Sequence, residues 1–120
     1  MQNRRQQAEK KGRRAEEAAA LFLRGKGYRI IEKRYRSNRG EIDLIVSRGT
    51  LTAFVEVKAR DSKEKALESI TAKQRRRIEA TAEDWLKTTG HTGGSLRFDI
   101  IAVVPWAIPS HITDAWRLGE

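Results

Sequence analysis

The sequence predicts an α/β fold, a mixed sheet flanked by helices on both sides in the order α-β-β-β-α-β. Three observations carry that expectation. Residues 40–60 read GEIDLIVSRGTLTAFVEVKAR, two β-type runs joined at Arg48-Gly49-Thr50. Two segments, about residues 11–26 and 71–88, repeat apolar residues at helical spacing. A further run, LRFDIIAVV at residues 96–104, reads as a strand buried on both faces.

Residues 1–11 (MQNRRQQAEKK) are polar and basic, and they read as a flexible segment ahead of a single domain spanning 12–120. In the first helix Ala15, Ala18, Ala19, Phe22 and Leu23 form the apolar stripe, and Gly27 suits its C-terminal cap. Glu16 lies one position off that stripe, on a face with Ala20 and Leu23; its position suits a solvated residue, though it can reach the sheet edge. Residues 28–35 (YRIIEKRY) are strand-like, and 36–40 read as a flexible loop before the acidic hairpin. Residues 60–69 are a charged loop with some helical character. Thr71-Ala72-Lys73-Gln74 has the form of a capping box and opens the second helix. Its stripe is Ile78, Ala82, Trp85 and Leu86, and Gly90 ends it. The tail, with Ile112 and Trp116, reads as a short strand or turn on the core.

The hairpin carries the chemistry. Gly49-Thr50 as a two-residue turn, with Gly first, has a type II′ signature and pairs Arg48 with Leu51. In that register Asp43 faces Glu56 and Glu41 faces Lys58. Alternation puts Glu41, Asp43, Ile45, Phe54, Glu56 and Lys58 on one face. Ile42, Leu44, Val46, Leu51, Ala53, Val55 and Val57 make an apolar surface on the other. Opposed carboxylates repel, so the pair wants a shared cation or a shared proton. Mg²⁺ or Mn²⁺ suits it, because such ions accept one or two carboxylates and complete their shell with water and phosphate oxygens. Lys58 points to the same side and can steady a phosphate or an attacking water. The competing reading is a set of surface ion pairs, Glu41 with Lys58 and Asp43 with a nearby arginine.

Composition narrows the partners. The net charge is +9 and the pI about 10.4. Residues 1–78 hold 22 Lys/Arg against 10 Asp/Glu, whereas 79–120 hold 3 against 6, so the acidic pair sits in the positive part of the chain. A positive field draws in a polyanion while the carboxylates hold its metal, which favours nucleic acid over a merely soluble surface. Lys73, Arg75, Arg76 and Arg77 crowd the first turns of the second helix, where a docked phosphate would meet both cations and free N–H groups. No cysteine is present, which removes disulfides and thiolate metal sites and fits a cytoplasmic protein. Two histidines are too few for a His-rich zinc centre. No run approaches the ~20 apolar residues that cross a bilayer, so a membrane is not an expected partner.

Several motifs together resemble the YraN-type family of small bacterial proteins. They are Gly12…Ala15-Glu16…Ala19, Gly27-Tyr28, Gly40-Glu41-Ile42-Asp43-Leu44-Ile45, Phe54-Val55-Glu56-Val57-Lys58-Ala59-Arg60, Lys73 and Arg97-Phe98-Asp99. The pairing of GEIDLI with FVEVKAR is far more specific than D…ExK alone, and the similarity spans about residues 12–116. The resemblance implies the restriction-endonuclease-like fold of the PD-(D/E)XK superfamily, near the Holliday junction resolvases. It implies Asp43 and Glu56 as metal-binding acids, Lys58 as the lysine supporting the nucleophile, and Glu16 as the helix glutamate that joins the site. Lys73 matches the basic or amide residue of the second helix. Two positions depart from the pattern: no proline precedes Asp43, and Ala15 replaces a glycine.

The functional expectation is a Mg²⁺- or Mn²⁺-dependent endonuclease or resolvase-like enzyme on DNA, needing no organic cofactor. Arg60, Lys73, Arg75, Arg76 and Arg77 would position the phosphate backbone. Because resolvases act as dimers on a two-fold substrate, a homodimer belongs to this expectation. The alternatives are a non-catalytic nucleic-acid-binding module with the same fold and an interaction protein that docks an acidic partner. Docking needs positive charge but no paired acids, which ranks it last.

Overall fold

The computed structural model describes residues 3–119; Met1, Gln2 and Glu120 lie outside the described residues. Eight elements follow one another: α1 (Arg4–Gly25), β1 (Arg29–Ser37), β2 (Gly40–Arg48), β3 (Leu51–Ala59), α2 (Lys63–Glu68), α3 (Ala72–Thr89), β4 (Ser95–Val103) and β5 (Ser110–Trp116). The predicted α-β-β-β-α-β core is present, with α2 in the charged loop and β5 in the tail. The five strands lie in the order β1-β2-β3-β4-β5. β3 and β4 run parallel and the other pairs antiparallel, so the sheet is mixed. The parallel pair requires a long crossover, which α2 and α3 supply.

Both sheet faces are covered. On one side Ala15, Ala19, Ala20 and Leu23 of α1 pack on Leu44, Val46, Ala53, Val55, Val57 and Ile101. On the other side Ile78, Ala82 and Trp85 of α3 pack on Ile42, Ile45, Phe54, Phe98 and Ile100. The β2–β3 hairpin keeps the register read from its turn, with Leu44↔Val55, Val46↔Ala53 and Arg48↔Leu51. Gly49 supplies the left-handed conformation at the first turn position, φ 59°.

Four expectations change. The first helix starts at Arg4 rather than near residue 11, because Asn3 and Gln6 form a reciprocal capping box. Its buried stripe is turned slightly: Ala20 is buried, whereas Ala18 and Phe22 are half-buried. Residues 36–40 are no flexible loop, since β1 runs to Ser37 and β2 begins at Gly40, leaving a tight turn. Gly40 also lets this corner approach α3, because a Cβ there would stand 2.8 Å from Thr81 Oγ1. Finally, Ile42 packs on the α3 side instead of joining Leu44 and Val46. The physical reason lies next to it. Asp43 is paired in neither ladder, and Arg34 on the adjacent strand adopts φ 54°. Such irregularities bend a strand and re-aim its side chains.

Candidate active site

The departure of Asp43 from the ladder builds the site. The register would have set Ile42 opposite Val57, with the Val57 N–H donating across the strands. Instead Val57 N–H donates to Asp43 Oδ2 at 2.8 Å. The carboxylate thus replaces a ladder bond and is fixed in the gap where β2 and β3 part. Glu56 comes from the other lip and is only 6% exposed. Its Oε2 accepts from Gln74 Nε2 in the first turn of α3 at 3.2 Å. A cleft of about 540 Å³ opens here, bordered by Glu16, Asp43, Glu56, Lys58, Arg60 and Gln74, with Ala8, Lys11 and Gly12 of α1 along one wall.

Burial, then the hydrogen bond and the charge of Asp43, push the Glu56 carboxyl well above the ordinary carboxylate range, while Lys58 opposes them. Glu56 is therefore held toward its neutral form where an ordinary carboxylate is charged. A carboxyl whose folded pKa is raised costs nothing below its unfolded value near 4.5 and costs progressively more as pH climbs above it. Glu56→Gln is accordingly expected to stabilise the cation-free protein at pH 7, by about 1 kcal/mol or more, and to have no stabilising effect near pH 4. Urea denaturation at the two pH values measures this.

The sequence-derived residues divide into two groups. Asp43, Glu56, Lys58, Glu16 and Arg60 all border the cleft. Glu16 is neither free nor fully solvated, since Arg34 Nε donates to its Oε1 at 2.6 Å. Lys73 does not border the cleft and is exposed; the neighbouring Gln74 takes the place expected of it. Thr71 still caps α3 by accepting from Gln74 N–H, but the Gln74 side chain turns to Glu56 instead of closing the capping box. Arg75 lays its guanidinium over the Trp116 ring, 5.8 Å from the centroid, and is half-buried there. Arg76 and Arg77 are exposed, and Arg77 borders a shallow hollow with Arg36, Arg39 and Gly40. Glu41 makes no cross-strand pair with Lys58; it faces Arg36 Nε at 3.2 Å.

Sequence reasoning missed Gln74 and the α1 wall. Both had a signal. Gln74 sits beside the expected helix position, and Ala8, Gly12, Ala15 and Glu16 share one helical face once α1 is carried back to Asn3.

The donor set fits a divalent cation of the Mg²⁺ class, with two carboxylates in contact in a polar cleft open to solvent. Among the described residues no group of three or more His, Asp or Glu converges, so the protein alone does not enclose an ion. A larger cavity of about 800 Å³ lies at the opposite sheet end, between α3, β4 and β5. Its lining is mainly apolar, with Phe54, Leu86, Leu96 and Phe98, and its acids are engaged: Glu79 by Gly119 N–H, Glu83 by Arg39 and Lys87, and Asp114 by Arg117. No described helix is long and apolar enough to cross a membrane.

Comparison with known proteins agrees with the motif pattern. Residues 15–103 match the model of the family described as "Uncharacterised protein family UPF0102". A UPF0102 protein of Mesorhizobium japonicum is 50% identical over 113 residues, covering 93% of this chain and 90% of the relative. One from Paramagnetospirillum magneticum is 47% identical over 118 residues, with 94% and 92% covered. Another, from Sinorhizobium medicae, is 51% identical over 108 residues, with 89% and 88% covered. With the family model matched over most of the sequence and relatives aligned along nearly all of it, the chain belongs to the UPF0102, or YraN, family.

Proposed function

We propose that the protein is a Mg²⁺- or Mn²⁺-dependent endonuclease, resolvase-like in fold, that hydrolyses phosphodiesters in DNA. The observation that carries this reading is the contact of Asp43 with Glu56 where β2 and β3 separate, with Lys58 on the same cleft. Asp43 and Glu56 would hold the cation, which when bound supplies charge for phosphoryl oxygens and acidity for a water. The remaining work belongs to the chain. Val57 N–H and Gln74 hold the two acids in place. Lys58 steadies the attacking water and meets the charge that develops on the phosphoryl group. Glu16, oriented by Arg34, offers that water a further acceptor. Arg60, with exposed Lys73, Arg76 and Arg77, supplies backbone contacts. A two-fold substrate would call for two copies of the chain.

The same structure gives weight to a second reading, a nucleic-acid-binding module without chemistry. Among the described residues no three acids converge to hold an ion, and Glu16 is already committed to Arg34. One assay separates the two. Duplex, flap and four-way-junction DNA are incubated with Mg²⁺ or Mn²⁺ beside an Asp43→Ala control. Cleavage by wild type alone supports the enzyme, and binding without cleavage of any substrate supports the module.

In either case affinity should fall steeply with salt, with a log–log slope of about −0.9 per neutralised duplex phosphate. Reversing Lys73, Arg76 and Arg77 to Glu should flatten that slope without unfolding the protein, because all three are exposed. A salt-independent interaction would contradict the polyanion reading. Arg75 is left out of that set because its stacking on Trp116 ties it to the core.

A further inference from the structure

The loop between β4 and β5 presents a tryptophan to solvent at the end of the sheet that carries the cleft. Trp106 is 104% exposed and Ile108 78%, whereas Trp85 and Trp116 are each 3% exposed. Trp106 also adopts φ 62°, a left-handed conformation that turns normally give to Gly or Asn. A bulky residue in such a conformation, packed against nothing, points to display rather than to folding. The only two prolines of the chain, Pro105 and Pro109, flank it and stiffen the loop.

Position gives the display a use. β3 and β4 are parallel and in register, with Lys58↔Ala102 and Ala59↔Val103, and Arg60 N–H donates to Val103 O at 3.2 Å. The loop therefore leaves the sheet at the end that carries Glu56 and Lys58. Adjacent strands lie ~4.8 Å apart, and three residues span at most ~11 Å. The Trp106 backbone thus stands within about 16 Å of Ala59, on the order of five base steps at ~3.4 Å each. No acid occurs between Asp99 and Asp114, so nothing on the loop itself repels a polyanion, and Arg60 stands at its base.

We propose that Trp106 is a base-stacking residue that receives an unpaired nucleobase a few nucleotides from the phosphate in the Asp43/Glu56 cleft. The inference rests on the proposed function and refines its substrate: nucleic acid that is single-stranded or interrupted near the scissile bond, in preference to continuous duplex. Stacking fits because every base has a π-face, whereas an exposed indole gains nothing from a fully paired backbone. Ile108, two residues on, supplies an apolar wedge of the kind that separates base steps.

Intrinsic fluorescence reads this directly, because Trp106 is the one exposed tryptophan of three. In cation-free buffer at low salt, the full chain is titrated with a single-stranded oligonucleotide, a duplex with a central unpaired gap, and an intact duplex of equal length. The expected result is quenching of the solvent-exposed emission by the first two and little change with the third. Trp106→Ala should weaken binding to the first two by about five-fold to a hundred-fold, leave intact-duplex binding within about two-fold, and keep the wild-type melting temperature. Trp106→Phe should recover part of the loss. Unchanged affinity of Trp106→Ala for all three substrates, with DNA binding retained, would overturn the stacking role and leave the proposed function standing. Absence of binding by the wild-type chain to any of them would overturn both. An emission change produced by anionic vesicles or by raising protein concentration, and not by DNA, would assign the loop to a membrane surface or a second copy and also overturn the proposal.

Discussion

Lys58→Ala is expected to lower the rate of phosphodiester cleavage by about 10²- to 10³-fold while DNA affinity stays within a few-fold of wild type. The chain has 25 Lys and Arg, so one of them adds little to the attraction of a polyanion. Lys58 is half-buried beside Glu56, and its charge already acts on that carboxyl. A cation so placed matters most when phosphoryl charge develops, which is a property of the transition state and not of the bound substrate. Single-turnover cleavage and equilibrium binding on one substrate separate the two effects. A parallel loss of affinity and rate would make Lys58 an ordinary phosphate contact.

Asp99→Asn is expected to destabilise the fold by about 3 kcal/mol or more, a fall of roughly 10 °C in melting temperature. Asp99 is completely buried. It accepts two hydrogen bonds from Arg97, both 2.7 Å, one from His111 Nε2 at 2.8 Å and one from Asp114 N–H at 3.0 Å. Lys26 Nζ lies 2.7 Å from His111 Nδ1; an ammonium only donates, so Nδ1 accepts and Nε2 carries the hydrogen given to Asp99. Burial alone would raise the Asp99 pKa, but His111, Arg97 and Asp114 N–H outweigh it and hold it below the ordinary carboxylate range. A lowered folded pKa gives stability that is fully present above the unfolded value, about 3.9, and lost as pH falls through the folded value. The difference between wild type and Asp99→Asn should therefore be full at pH 7 and shrink below about pH 4. Thermal melts across that range test the sign.

The contrast between these two sites shows how far the sequence could be read. Alternation and the Gly49-Thr50 turn were enough to set the β2–β3 register, because a one-residue slip would turn every apolar side chain outward. That register brought Asp43 and Glu56 side by side on paper. It did not reveal that the strands part at Asp43, that Ile42 crosses to the α3 face, or that Glu41 turns to Arg36. Those outcomes depend on the left-handed Arg34 and on a side chain displacing a backbone acceptor, neither of which leaves a periodic trace. Gln74 was hidden by its own plausibility, since a capping box explains it fully until tertiary contact draws it to Glu56. Arg97-Phe98-Asp99 stood out as a motif, but only the structure ties it to His111 on β5, twelve residues after Asp99.

Calorimetric titration of Mn²⁺ into the wild-type chain and into Asp43→Asn and Glu56→Gln asks whether these two acids hold a cation. One site is expected in the wild type, tightened by a phosphodiester oligonucleotide that supplies further oxygen ligands, and no site in either variant. Equal Mn²⁺ binding by all three proteins would contradict a cation site at Asp43 and Glu56.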